Sequence, residues 1–163
     1  QKVIDRLARR TKPVPNWYLD MSLVGKYWGS ARTYHHTAPI NMNYGIREAL
    51  RLVAEEGLEA RWQRHEDNAR MFWNGLEAIG LSCHVDEEIR LPSLTTVRVP
   101  DGVDSGRVAR TLLNEYNIEI AGGLGQLAGK VWRVGMMGFN SRPENVRLLL
   151  AAMEDVLSKE TAA

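Results

Sequence analysis

Apolar positions along the chain change period partway through. Ile46, Ala49, Leu50, Val53 and Ala54 recur at intervals of three and four, the stripe of a helix that buries one face. Gly57 predicts a break. The pattern resumes at Leu58, Trp62, His65, Ala69, Phe72, Trp73 and Leu76, a second helix of about six turns that ends at Gly80. From residue 81 the period shortens. Leu81 to Val85 is a short strand candidate, and Ser93 to Val99 alternates and is rich in β-branched residues, which predicts a strand. Pro100-Asp101-Gly102 is a turn, and Asp104 is placed to cap a helix carrying Val108, Leu112 and Tyr116 on one face. Further strands are predicted at Ile118 to Ile120 and at Val131 to Met136, on either side of a glycine-rich loop. Ser141-Arg142-Pro143-Glu144 reads as a capping box opening a last helix with Val146, Leu149, Leu150, Met153 and Leu157 buried.

Residues 1–42 have no such regularity. Lys2 to Arg10 can form a short basic helix, which Pro13 and Pro15 forbid from continuing. Asp20 can cap a second short helix reaching Trp28. Trp17, Tyr18, Tyr27 and Trp28 crowd this segment without periodicity, which suggests packing against something large. The order of elements predicts an α/β (α+β) fold: a small, mostly antiparallel sheet covered by helices on one face, preceded by a long connecting helix and an irregular aromatic N-terminal segment. The expected division is 1–42 and 43–163.

Composition narrows the function classes. A chain of 163 residues, 44% hydrophobic and 25% charged, can bury a core and is not expected to be disordered. The formal net charge of +1 leaves no electrostatic footprint for nucleic acid or an anionic membrane. No apolar run is long enough to span a bilayer. The single cysteine, Cys83, excludes an internal disulfide framework and a cysteine-rich zinc site, and fits a reducing compartment. The last residues lack the peroxisomal Ser-Lys-Leu address. A cytoplasmic location is expected. The chain is also expected to be a piece of a longer one, since its first residues carry neither an initiator Met nor a signal pattern.

Among side chains that could do chemistry, Arg133 comes first. It stands mid-strand, with Val131 and Gly135 on its face and Trp132, Val134 and Met136 on the other. A partly buried guanidinium needs a partner, and its planar fork suits a carboxylate. The competing reading, which composition alone favours, is a solvent-exposed strand face or an internal salt bridge. In Tyr34-His35-His36-Thr37, adjacent histidines make a poor chelate and no Asp, Glu or Cys stands at metal-site spacing. The hydroxyls of Tyr34 and Thr37 could donate to an anion such as phosphate, or the segment could be a structured loop before Pro39. The stretch Gly122 to Lys130 fails as a P-loop, because Leu124 stands where the first glycine belongs and a strand follows. His65 reads as a satisfied core or interface histidine. Cys83 and His84 face opposite ways on a strand, and Glu55-Glu56 reads as solvated charge.

Several segments together resemble the alanine–glyoxylate/serine–pyruvate aminotransferases, class V within fold type I of the pyridoxal-phosphate enzymes. They are Thr11-Lys12-Pro13, Trp17 to Asp20, Tyr34-His35-His36-Thr37-Ala38-Pro39, Leu91-Pro92-Ser93, Ile118 to Gly125, and Gly129-Lys130-Val131-Trp132-Arg133-Val134-Gly135. They follow the family's order over nearly the whole chain. The Tyr-His-His-Thr and Gly-Lys-Val-x-Arg motifs are specific in combination.

The resemblance implies that Arg133 grips the α-carboxylate of amino-acid and keto-acid substrates. It implies that Tyr34 and Thr37 reach the phosphate of pyridoxal 5'-phosphate bound to the neighbouring subunit of a homodimer. Residues 1–42 would then be a remnant of a large cofactor domain and subunit contact, and 43–163 the connecting helix and small C-terminal domain. Family enzymes hold the cofactor on a lysine. Lys2, Lys12, Lys26, Lys130 and Lys159 do not match its context, which lies upstream of residue 1. No catalytic residue is therefore assigned, and the chain alone is expected to be inactive. The reaction implied is transamination between alanine or serine and glyoxylate or pyruvate. Another class V reaction (a lyase or desulfurase) and a non-catalytic interaction domain are the rival readings.

Overall fold

A computed structural model describes residues 1–161. The chain divides into two compact units, Gln1–Leu52 and Val53 onward, and the boundary falls inside a long helix.

The first unit holds α1 (Lys2–Ala8), α2 (Met21–Trp28) and most of α3 (Ile40–Glu56). Asp20 caps α2 as predicted, its carboxylate accepting the Ser22 amide at 2.9 Å. The apolar stripe of α3 is not covered within the described chain: Ile46 and Leu50 are each 60% exposed.

The second unit is built from α4 (Leu58–Ala78), β1 (Leu94–Arg98), α5 (Ser105–Tyr116), β2 (Ala121–Gly122), β3 (Val131–Gly135) and α6 (Pro143–Thr161). Gly57 separates α3 from α4 at φ 84, a conformation that glycine adopts without steric penalty. The strands form one antiparallel sheet in the order β1-β3-β2. The register sets Thr96 and Ala121 on either side of Arg133. Thr95 and Val97 of β1 and Trp132 and Val134 of β3 turn to the helix-covered face. There Val97, Trp132 and Val134 pack with Phe72, Trp73 and Leu76 of α4, Val108 and Leu112 of α5, and Val146, Leu149, Met153 and Val156 of α6. The indoles are satisfied: Trp73 Nε1 donates to Thr95 Oγ1 at 2.9 Å and Trp132 Nε1 to the Ser105 carbonyl at 3.0 Å. The predicted fold class stands: mixed α and β, with an antiparallel sheet and helices over one face.

Three local expectations shift. Leu81 to Val85 is not a strand and keeps one bridge, Cys83 to Val97, because the chain leaves the sheet to give the Val85 carbonyl to Arg90 Nε at 2.8 Å. The strand expected at Ile118–Ile120 lies instead at Ala121–Gly122. Asn117 adopts a left-handed conformation (φ 55), and the Ile118 amide closes α5 on the Leu112 carbonyl at 3.0 Å. Ser141 does not cap α6, which begins at Pro143. Its fully buried hydroxyl accepts from Asn68 Nδ2 at 3.2 Å, which joins α4 to the start of α6.

Candidate functional site

Arg133 lies on the sheet face that the helices leave uncovered, half-buried between Thr96 and Ala121. Its Nε donates to the Gly122 carbonyl at 2.8 Å. No carboxylate among the described residues pairs with it, so the internal salt bridge left open by the sequence is not formed. Fixing Nε fixes the guanidinium plane and leaves the two terminal nitrogens as a paired donor edge. That edge matches the two oxygens of a carboxylate.

Tyr34 and Thr37 belong to the first unit. Their hydroxyl oxygens are 3.0 Å apart, and both side chains are exposed. A cage of rings holds the segment. Trp17 stacks on His35 with centroids 4.1 Å apart, Tyr18 tilts against His36, and Tyr27 meets Tyr34 edge-on. His35 is buried, with Nε2 3.2 Å from the Trp17 carbonyl and Nδ1 2.6 Å from His36 Nδ1. A carbonyl can only accept, so His35 Nε2 donates. In a neutral His35, Nδ1 then accepts a proton held by His36 Nδ1. The histidines are thus a scaffold that presents the two hydroxyls. The hydroxyls are hydrogen-bonded to each other, which leaves one proton free to donate, and rotation of the other hydroxyl turns both toward one phosphate oxygen, so the donor set fits the group that the resemblance implies.

Sequence reasoning missed a polar junction in the second unit. Glu56, read above as solvated charge, is half-buried and accepts from both Arg64 and Arg61. The hydrogen bonds and charge of Arg64, with Arg61 adding to them, hold its carboxyl down to about 2. Arg64 also donates to the carbonyls of Gly138 and Ser141, while His65 Nε2 accepts the Gly138 amide at 3.1 Å and Nδ1 donates to the Arg61 carbonyl at 2.7 Å. These bonds fix the loop that leaves β3 a few residues after Arg133. The spacing Glu56, Arg61, Arg64 crosses the break at Gly57, where helical i, i+4 rules give no signal. His65 is the satisfied histidine expected. Burial pushes the Cys83 thiol up, away from a reactive thiolate.

Among the described residues no group of three His, Cys, Asp or Glu side chains could hold a metal ion. No helix among them is long and apolar enough to cross a membrane.

Comparison with known proteins identifies the family. The model of the class-V aminotransferases matches residues 19–149. Over 151 residues the chain is 42% identical to the (S)-ureidoglycine–glyoxylate transaminase of Bacillus subtilis (strain 168), covering 93% of this chain and 36% of that protein. It is 42% identical over 154 residues to the alanine–glyoxylate aminotransferase of Callithrix jacchus, covering 92% and 37%. The crystal structure of the alanine–glyoxylate aminotransferase from Nostoc sp. superposes with a TM-score of 0.92 at 64% identity, over 96% of this chain and 42% of that one. The chain thus spans about two-fifths of the length of the relatives it matches. Class V aminotransferases use pyridoxal phosphate. With most of its length matched by that model, the chain belongs to the class-V aminotransferase family.

Proposed function

We propose that this chain works within an aminotransferase of its relatives' full length, exchanging an amino group between a small amino acid, alanine or serine, and glyoxylate or pyruvate. Pyridoxal phosphate, when bound, supplies the electron sink for that exchange. The contribution of this chain is recognition. Arg133 binds the α-carboxylate shared by the amino-acid and oxo-acid substrates, and so orients either one for reaction at its α-carbon. The observation that carries this reading is the guanidinium anchored at Nε by a backbone carbonyl, with its donor edge unpaired on the uncovered sheet face. Tyr34 and Thr37 donate to the cofactor phosphate of the neighbouring subunit in a homodimer. Their exposed, adjacent hydroxyls support this role. In this arrangement residues 1–42 belong to the cofactor domain and subunit contact, and 43–163 form the connecting helix and small domain. The half-buried lone cysteine fits a reducing, cytoplasmic location.

The test is a transamination assay on the full-length enzyme, with alanine or serine as donor and glyoxylate or pyruvate as acceptor. Formation of both the new oxo acid and the new amino acid is expected. Oxo-acid release with no amino-acid product would instead assign a lyase, and sulfur released with alanine from cysteine, offered in a parallel assay as the donor, a desulfurase.

A further inference from the structure

The anchor that orients Arg133 is a backbone carbonyl, so its position depends on how the chain around it is packed. Gly122 sits on the short edge strand β2, where pairing with β3 extends over only two residues. Its carbonyl turns to Arg133 Nε. Directly after it, the Gly123 amide donates to the Val131 carbonyl at 2.9 Å. The loop then folds back through Leu124–Lys130, closed by Leu127 N–H to Leu124 C=O and Lys130 N–H to Leu127 C=O, each 3.0 Å.

Neighbouring glycines in this loop differ sharply in what they could tolerate. A Cβ on Gly122 would meet nothing within 4 Å. A Cβ on Gly123 would stand 2.0 Å from the Leu127 carbonyl oxygen, 2.6 Å from its carbon and 2.8 Å from Val131 Cγ2. The first two are backbone atoms and cannot rotate away, so any side chain at 123 must lift the returning loop or displace β2. Either movement shifts the Gly122 carbonyl relative to Arg133. Gly123 does not occupy the left-handed region, so the requirement is one of space.

We infer that Gly123 is a positioning residue for the substrate-carboxylate site. Its missing side chain lets the 124–130 loop close against β3, and that closure holds the Gly122 carbonyl where it sets the plane of the Arg133 guanidinium. This rests on the reading of Arg133 as the carboxylate ligand. A displacement of about 1 Å at a site that orients substrate can cost on the order of a hundredfold in rate, so a single methyl group at position 123 is expected to be felt at the substrate.

The experiment is a double-mutant cycle in the full-length enzyme, comparing wild type, Gly123→Ala, Arg133→Ala and the double variant. It reads KM and kcat for amino acid and oxo acid, and the inhibition constant of propionate, a carboxylate with no amine to exchange. Gly123→Ala is expected to raise KM and the propionate constant roughly tenfold or more, with a smaller change in kcat and with cofactor absorbance retained. In the Arg133→Ala background the same change should add less than about twofold, because the group it positions is gone. An equal increment in both backgrounds would mean that Gly123 acts through general folding, and would overturn the inference, as would an unchanged KM in Gly123→Ala. If Arg133→Ala itself leaves KM unchanged, the carboxylate reading falls and this inference with it. If only Gly123→Ala is silent, the carboxylate reading survives. Should Gly123→Ala fail to fold, Gly129→Ala strains the same loop from its far end, at φ 74. A KM rise of about twofold to fivefold that vanishes without Arg133 is expected there, and no rise, or an equal rise in both backgrounds, would overturn the inference.

Discussion

The two units of this chain are held together differently. In the second, sixteen buried apolar side chains among the described residues, from α4, β1, α5, β3, α6, the turn after α4 and Met136 just past β3, form one continuous cluster. In the first, Val24 is the only buried apolar side chain among the described residues, while Trp17, Trp28, Tyr34, Ile46 and Leu50 stand exposed. There the Tyr34–Thr37 segment is held by ring stacking around a buried histidine. A unit with its own core can support a rigid strand, and the second unit uses one to carry Arg133. A unit that shows its aromatic and aliphatic surface has that surface to offer another body, and the first unit carries the two hydroxyls assigned to a neighbouring subunit's cofactor. In the proposed reading, carboxylate recognition sits on the unit with its own core and the phosphate contact on the unit without one.

This contrast can be broken by mutation. Phe72 is fully buried at the centre of the cluster, so Phe72→Ala should cost about 3–5 kcal/mol of stability, measured as a lower urea midpoint. A loss under 1 kcal/mol would mean that the second unit does not rely on this core. In the first unit the expected effect is smaller and functional. Tyr34→Phe keeps the ring that packs on Tyr27 but removes a donor, which should weaken cofactor retention by roughly 1 kcal/mol, or about fivefold, followed by absorbance after gel filtration. Unchanged retention would remove Tyr34 from the phosphate site. The smallest effect concerns Glu56. Its folded carboxyl is held at about 2, below the ordinary 4.5, so the stability it contributes is present above pH 4.5 and is lost as pH falls toward 2. Glu56→Gln should therefore flatten the fall in Tm between those values, and an unaltered acid limb would show that the junction with Arg64 and Arg61 does not carry it.

Much of the fold was legible because packing obeyed local periods. The break at Gly57, the strands at β1 and β3 and the helices α5 and α6 all followed from spacing and turn chemistry. The shifts occurred where backbone groups found partners outside the period: the Val85 carbonyl with Arg90, and the Ile118 amide with Leu112. Arg133 was visible as a charge in an apolar strand, and the Tyr-His-His-Thr run as a motif. The carbonyl that aims Arg133 was not visible, since every residue has one, and neither was the role of Glu56, whose partners lie across a helix break. Sequence exposes side chains that are out of place, but the groups that hold them in place are often backbone atoms, and these emerge only with coordinates.

The most direct test of the central claim is the kinetics of Arg133→Ala in the full-length enzyme. A loss of about 2–5 kcal/mol in kcat/KM for both the amino acid and the oxo acid is predicted, carried mainly by KM and with cofactor absorbance intact. A KM within about twofold of wild type, well under the 1.4 kcal/mol that a tenfold change represents, would contradict it.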